Sequence, residues 1–585
     1  MISSRSVKKR SLVTRILDIV EKKRTSDRII LRFLLFLFVI SGVFSLLALN
    51  DRYLATTPIA GGTLVEGIIG TPRFVNPVLA VTRADLDMTA LIYSGLMKIN
   101  PEGELVPHLA ESVTINDTGT VYNIIMRRDV RFHDGTPLTA RDVTFTIALA
   151  QDATLKSPLR GNWVDIVVEE INEYELNIVL EEGYAPFIEN LTLGILPRHI
   201  WSELPVEQIP FSERNTNPIG AGPFSVKSIS RNKSGIIESY TLARSNYAVE
   251  PANIAGVQTF FYASENELVN GYNTGQFHSS AYLPSTFTHT LVETKRDVAV
   301  AELSLPRVFA VFINQNRTPA LRDLGARQAL SAAINREAIV ENALYNYGVP
   351  TTHPLPAEHF AVQSTSSTPE STDVETNITI TPHDRAVTIL ETAGWRKNDN
   401  GIWEKRIGGD LTPLQVTLRT TNNTLFEQVA QSIARDWRAI GVEVQLEQFE
   451  QTDLLQNVIR PREYQTLLFG IEMGRTIDLY PFWHSSQRED PGLNIAQYAN
   501  IEVDSLLSRA RSTTDSDIRK QSTNEAITII TSEYPAIFLF TPTSTYVTPN
   551  TVLTSPILDI SRPHERFMNI SQWHMNTDTV WPFFR

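Results

Sequence analysis

Apolar and polar residues alternate in short, punctuated runs along most of this chain. Residues 121–126, Val-Tyr-Asn-Ile-Ile-Met, alternate loosely, as a part-buried strand does. Turn signals bracket the run: Pro101-Glu102-Gly103 and Asp117-Thr118-Gly119 before it, His133-Asp134-Gly135 after it. Thr139, three residues ahead of Asp142, is a relative of the capping box and predicts a helix with Val143, Ile147 and Ala150 on one face. The clearest amphipathic stretch is 425–440, where Phe426, Val429, Ala430, Ile433, Trp437 and Ile440 recur at helical spacing. Gly441 ends it. Val442, Val444 and Leu446 then alternate with Glu443, Gln445 and Glu447 as a half-buried strand. Aromatics in that stripe are core, and helix–strand alternation of this kind implies an α/β lobe.

The same reading places a first strand of the folded body at 61–68 and strands at 166–168 and 176–180, parted by an Asn-Glu turn. Residues 309–314 form a buried strand; 326–333 and 336–344 are helices, with Asn335 as a cap between them. Thr381-Pro382-His383-Asp384 opens another helix, with Gly394 beyond its end. Residues 355–381 are poor in apolar side chains and rich in Ser, Thr and Pro, which reads as a surface loop.

One run breaks the pattern. Residues 33–49, FLLFLFVISGVFSLLAL, are 17 in a row without charge. At about 1.5 Å per residue they span roughly 25 Å, and residues 29–31 extend them if Arg32 snorkels. A cleaved signal peptide wants a short basic start and a small-residue cleavage site. Here the basic region is long, with KKR at 8–10 and 22–24, and Leu47-Ala48-Leu49 has the wrong pattern. A buried core helix would need an amphipathic face, and none is present. The reading is a cytoplasmic basic tail over 1–28, an uncleaved transmembrane anchor over 29–49 and a linker over 50–60.

Composition narrows the function classes. At 585 residues two or three lobes are expected, and 42% hydrophobic with 20% charged residues is ordinarily globular. The chain has no cysteine, which excludes a disulfide framework, a thiolate metal site and a cysteine nucleophile. Residues 1–50 carry ten Lys/Arg and three Asp/Glu, a net +7, which leaves −20 on the remainder of a chain whose total is −13. An acidic body behind a basic tail argues against a nucleic-acid partner and for a membrane with the tail inside.

Catalytic chemistry finds no foothold. There is no nucleophile elbow, no HExxH and no Walker A sequence. The glycines of 219–223 lead into a strand and are not followed by Gly-Lys-Ser/Thr, so they are not a phosphate loop. His133 sits in a turn, and His199 has no second histidine at ligand spacing; both read as packing or capping residues. No catalytic residue, metal ligand or cofactor is expected.

The order of residues is more specific than any of these features. GLM-x-x-x-PEGELVPHLAES followed by RRDVRFHDGTPLTARDVTFT resembles the signature region of extracytoplasmic solute-binding proteins of peptide-type ABC importers, the oligopeptide, dipeptide and nickel binding family. The resemblance continues through Asn217-Pro218-Ile219-Gly220-Ala221-Gly222-Pro223-Phe224, Arg327-Gln328-Ala329-Leu330, Ala333-Ile334-Asn335-Arg336 and Ala393-Gly394-Trp395, covering roughly 61–545. It implies an α/β, two-lobed periplasmic-binding-protein fold of class II type, here preceded by one transmembrane helix. Lobe 1 would occupy 61–305 with an extra subdomain at about 91–205, lobe 2 would occupy 306–540, and 541–585 would return to lobe 1.

The resemblance implies a solute held in the cleft between the lobes, without chemical change, and handed to the permease of an ABC importer. The expected ligand is a peptide or similar small solute; nickel or a metal chelate, a receptor that senses without import, and a tethered hydrolase remain open. The body is placed outside the cytoplasm as a membrane-held monomer. In relatives an Asp in the region of 465–483 holds the peptide's α-amino group; an ungapped placement puts Gly474 there, with Glu472 and Asp478 near. Glu472 and Asp478 are therefore candidate ligand contacts or plain solvated charges. Trp483 is a pocket-lining or a packing residue. Asn76, where the family usually has Asp, is a cleft residue or a turn residue ahead of Pro77.

Overall fold

The computed structural model describes residues 25–53, 55–356, 381–553 and 560–580. The chain separates into two compact units, residues 1–59 with 576–585, and residues 60–575.

The first unit holds a 29-residue helix, Thr25–Tyr53, and an antiparallel pair of strands, Ala55–Ile59 with Asn576–Val580. The helix contains the uncharged run. Its described side chains include exposed Ile29, Phe33, Phe38 and Phe44, while those of 46–49 fall outside the described set. Among the described residues no helix is long and apolar enough to cross a membrane. The linker expected over 50–60 is instead the end of this helix and a strand. Thr56, Thr57 and Ile59 are β-branched, which favours extended backbone, and 576–580 supplies the partner. The expected surface loop at 355–381 lies almost wholly outside the described residues.

In the second unit the apolar side chains gather into cores that divide the sequence. Two clusters draw their buried members only from 64–305 and 546–573, and two others only from 308–540. We call these the first and second lobe. In the first, the strand Thr63–Ile69 runs parallel to Gly256–Tyr262, which pairs antiparallel through Ile237–Arg244 to Phe224–Arg231. A separate antiparallel sheet of Ala110–Ile115, Val121–Met126, Glu175–Val179 and Val167–Asn172 shares the same continuous core. The strand predicted at 121–126 falls on those residues. The predicted capping box is formed: the Asp142 carboxylate accepts from Thr139 N–H at 2.9 Å and from Thr139 Oγ1 at 3.0 Å, opening the helix Ala140–Gln151.

A seven-stranded mixed sheet carries the second lobe and runs on into the first through Val298–Ser304. The predicted stripe at 425–440 becomes the helix Thr424–Ala439, burying Val429, Ala430, Ile433 and Trp437 beside the strands Gln415–Thr421 and Glu443–Phe449. Asn335 caps the helix Arg336–Leu344 through Oδ1 and Ala338 N–H at 2.9 Å.

One 14-residue strand, Ala536–Pro549, joins the lobes. Its first part pairs with Arg307–Ile313 and its second with Val298–Ser304, so the chain crosses between cores twice, side by side. Pro306 and Pro542, neither able to donate to the ladder, stand at the two crossings. The Gly-Ala-Gly turn of 220–222 is a close-approach device. A Cβ on Gly222 would meet the Ile92 carbonyl carbon at 2.5 Å, and Gly222 N–H donates to Ile92 O at 2.8 Å.

Candidate functional site

A groove of about 750 Å³ opens beside the two crossings, walled by both lobes. From the first lobe come Arg83, Asp87 and Tyr282, and from the returning tail Arg562; the second lobe gives Arg307 and Glu472. Each is placed by its element. Arg83 begins the helix Arg83–Ile92, whose start is fixed by a capping box in which Asp85 accepts from Thr82 Oγ1 at 2.7 Å. The guanidinium of Arg83 lies 5.4 Å from the Tyr282 ring centroid. Arg307 and Glu472 face each other across neighbouring antiparallel strands and form an ion pair. Among the described residues neither Arg83 nor Arg562 is joined to a carboxylate, so two cations in the groove are open to an anionic group of a solute.

Behind the groove floor lies a fully buried ionic cluster. Arg566 donates to Asp87 Oδ1 at 3.0 Å and Oδ2 at 2.7 Å, and to Glu66 Oε1 at 2.9 Å; Tyr546 O–H donates to Glu66 Oε2 at 3.1 Å. The bidentate fork suits Arg, and Tyr282, Tyr546 and Phe567 lie against its guanidinium plane. Burial pushes the Glu66 carboxyl up, and Arg566 opposes that. Nearby His564 is held neutral, pushed down to about 3 by burial and then by Arg562 and Arg566.

A second contact between the lobes is made by residues 474–480. The Glu189 carboxylate, from the first lobe, accepts from Arg475 N–H at 3.1 Å and from Thr476 N–H. The Arg475 side chain donates to Gly103 O at 2.9 Å and to Glu565 Oε2 at 2.8 Å, again in the first lobe. Arg511 lies between the rings of Tyr184 and Tyr480, 4.7 and 4.6 Å from their centroids. Gly474 is where a Cβ would come within 3.0 Å of the Glu189 carboxylate. The absence of a side chain at Gly474 thus leaves room for the Glu189 carboxylate of the opposite lobe.

The four side chains singled out in the sequence do not converge. Glu472 lines the groove. Asp478 lies under the 474–480 contact, accepting from Tyr480 N–H at 3.0 Å and paired with Arg511 at 3.4 Å, its carboxyl raised by burial. Asn76 has no exposed surface; its amide donates to Asn215 at 3.1 Å and accepts from Val78 N–H at 3.1 Å, which makes it a turn residue. Trp483 is fully buried among Phe312, Tyr498 and Phe538 and packs rather than lines. His133 bonds the glycine turn through Gly222 O at 3.0 Å, and His199 pairs with Asp134 at 2.7 Å. Among the described residues no cluster of three metal-ligating side chains occurs. Sequence reading missed Arg83, Tyr282, Glu189 and Arg562. Within the returning tail Trp573 is buried in the first-lobe core, and Arg562 and Arg566 carry charge to the groove and its floor.

Residues 104–490 match the bacterial extracellular solute-binding proteins, family 5 middle. The oligopeptide-binding protein AppA of Bacillus subtilis is 28% identical over 534 residues, 89% of this chain and 92% of that protein. The nickel-binding periplasmic protein of Escherichia coli is 25% identical over 64% of this chain and 68% of its own length. Among solved structures, Bacillus subtilis AppA with a nonapeptide superposes with a TM-score of 0.64 at 25% identity, covering 89% of this chain and all of that one. The unliganded open form of the murein tripeptide binding protein MppA shares the fold, with a TM-score of 0.70 at 18% identity over 90% of this chain and 99% of that one.

Proposed function

This chain belongs to the family 5 bacterial extracellular solute-binding proteins, and on that ground we propose that it captures a peptide or similar small solute in the groove between its lobes and delivers it to an ABC importer. The observation that carries the reading is the groove itself: about 750 Å³, bounded by groups from both lobes at a double strand crossing. A solute there touches both lobes only when they are together, so its binding energy shifts the population toward closure. Arg83 and Arg562 receive a carboxylate of the solute, and Glu472 supplies an acceptor on the opposite wall. An extended peptide is held mainly through its main chain, with bridging water admitting varied side chains. The loop at 474–476 is already occupied by Glu189, so recognition does not need a free α-amino group at that place. The helix Thr25–Tyr53 holds the body at the membrane, with the basic tail on the cytoplasmic side.

Native mass spectrometry of the purified full-length protein tests this. A co-purified mixture of peptides supports the reading. A single metal complex, or release of hydrolysed peptide with turnover, overturns it. Arg83→Ala with Arg562→Ala is expected to weaken binding of a carboxylate-bearing peptide by about tenfold or more, on the order of one charge-assisted hydrogen bond. Unchanged affinity in a calorimetric titration removes those two side chains from the site.

A further inference from the structure

The strand that joins the lobes, Ala536–Pro549, is paired along one edge by Val298–Ser304 in unbroken register from Pro549 to Thr543. Its opposite edge is covered from each end and left open between. From the second lobe, Gly348–Pro350 pairs with 540–542, and Thr543 N–H donates to Tyr347 O at 3.2 Å. From the first lobe, Ser280 and Val547 exchange both of their backbone bonds, each at 3.0 Å. The N–H and C=O of successive strand residues face alternate edges. Thr545 stands midway between Thr543 and Val547, so its N–H and C=O face the same edge as theirs. Among the described residues nothing bonds either group there.

Both covering segments stop one pair short of Thr545. Tyr345 and Asn346 have φ of 55° and 65°, left-handed backbone that carries the chain off the ladder. On the first-lobe side the Tyr282 N–H is taken by Ser280 Oγ at 3.1 Å, and that ladder ends too. Thr545, Tyr345 and Tyr282 all line the groove. At roughly 3.4 Å per residue the open edge from Thr543 to Val547 is about 14 Å long, room for one bonded residue and a neighbour on each side. A backbone donor and acceptor shielded by protein are nearly always paired, so a bare pair on the wall of a groove marks where a partner goes. The partner must carry a donor and an acceptor at strand spacing, which is what one residue of an extended main chain presents.

We propose that Thr545 is a main-chain docking point for the solute. One residue of an extended peptide, antiparallel to Ala536–Pro549, donates its N–H to Thr545 O and accepts from Thr545 N–H through its C=O. The inference rests on the peptide reading above and adds to it the place where the main chain is gripped. It also narrows the solute class, because a chelate that offers only acceptor atoms leaves Thr545 O without a donor.

Residue-resolved hydrogen exchange on the full-length protein tests this. The probes are a pool of randomised tetrapeptides and the same pool N-methylated on its internal amides. Without peptide the Thr545 amide is expected to exchange far faster than those of Thr543 and Val547, which are bonded. The ordinary pool is expected to slow it by about fivefold or more, the size of one net hydrogen bond, and the N-methylated pool to leave it fast. Thr545→Pro removes only the N–H that faces the groove and spares the ladder to Val298–Ser304. It is expected to weaken retention of the ordinary pool by about fivefold. A Thr545 amide as slow as its neighbours before peptide is added, peptide retained without slowing of Thr545, or equal slowing by both pools overturns the docking point, and none of these readings needs the proline variant to fold. Unchanged retention by a folded Thr545→Pro overturns it as well. Retention of no peptide at all is a distinct result: it overturns the peptide reading itself, and the docking point falls with it.

Discussion

Arg566 carries a full charge with no exposed surface, and it does so because two carboxylates and three aromatic rings replace its water. Removing it leaves Glu66 and Asp87 buried with their cation gone. Arg566→Ala is expected to cost about 3–5 kcal/mol of stability, read as a lowered denaturation midpoint in urea; a loss under about 1 kcal/mol would mean the cluster is solvated and the floor of the groove is not rigid. His108 makes a second claim at this scale. Its ring is pushed from the ordinary 6.5 down to about 4, first by burial, then by Lys98 and Arg127, with Glu250 opposing. The unfolded chain takes up this proton near 6.5 and the folded one only near 4, so the stabilisation is complete above 6.5 and is lost as pH falls through that window. Wild-type melting temperature should therefore drop more steeply between pH 6.5 and 4 than that of His108→Gln; parallel curves would show the ring already solvated.

The 474–480 segment shows how an element acquires a role that no single residue reveals. Glu189 and Glu565 hold its backbone and its arginine from the opposite lobe, so the segment bridges the lobes. Glu189→Ala removes two backbone–carboxylate hydrogen bonds that link the lobes. Solute dissociation in stopped flow is expected to quicken by about tenfold, on the order of one charge-assisted bond, with little change in the association rate; an unchanged dissociation rate would mean the bridge does not favour closure. Legibility from sequence follows the same line. Periodicity and capping signals located Val121–Met126, Ala140–Gln151, Arg336–Leu344 and Thr424–Ala439 because those are short-range patterns. The glycine at 474 was visible as a departure, but its partner is 285 residues away in sequence, and nothing local points from one to the other. Arg83 and Arg562 were hidden for the same reason: each is an ordinary surface arginine until the tail returns beside the helix Arg83–Ile92. For Trp483 and Asn76 the sequence left two roles open. A large aromatic and a turn amide are equally at home in a core, and only the three-dimensional neighbours decide.

At the scale of the whole molecule the chain is two electrostatic pieces. The first 50 residues carry a net +7 and the rest −20, with the uncharged run at the boundary. That polarity gives the proposed anchor an orientation as well as a position: the Lys and Arg ahead of it stay on the cytoplasmic side. It also gives a clean experiment. A chain beginning at residue 51 keeps the strand Ala55–Ile59, its partner Asn576–Val580 and every residue of the groove, so it should fold, bind solute with unchanged affinity, and run as a monomer in sizing chromatography. The full chain should sediment with membranes and resist extraction by high salt or carbonate, yielding only to detergent. If the shortened chain still sediments with membranes, the body carries a membrane contact of its own and the helix Thr25–Tyr53 is not the tether. If the full chain washes off in salt, only the basic tail is holding it, by an attraction that ions screen within about 10 Å at 0.1 M, and the uncharged run must be covered in some other way.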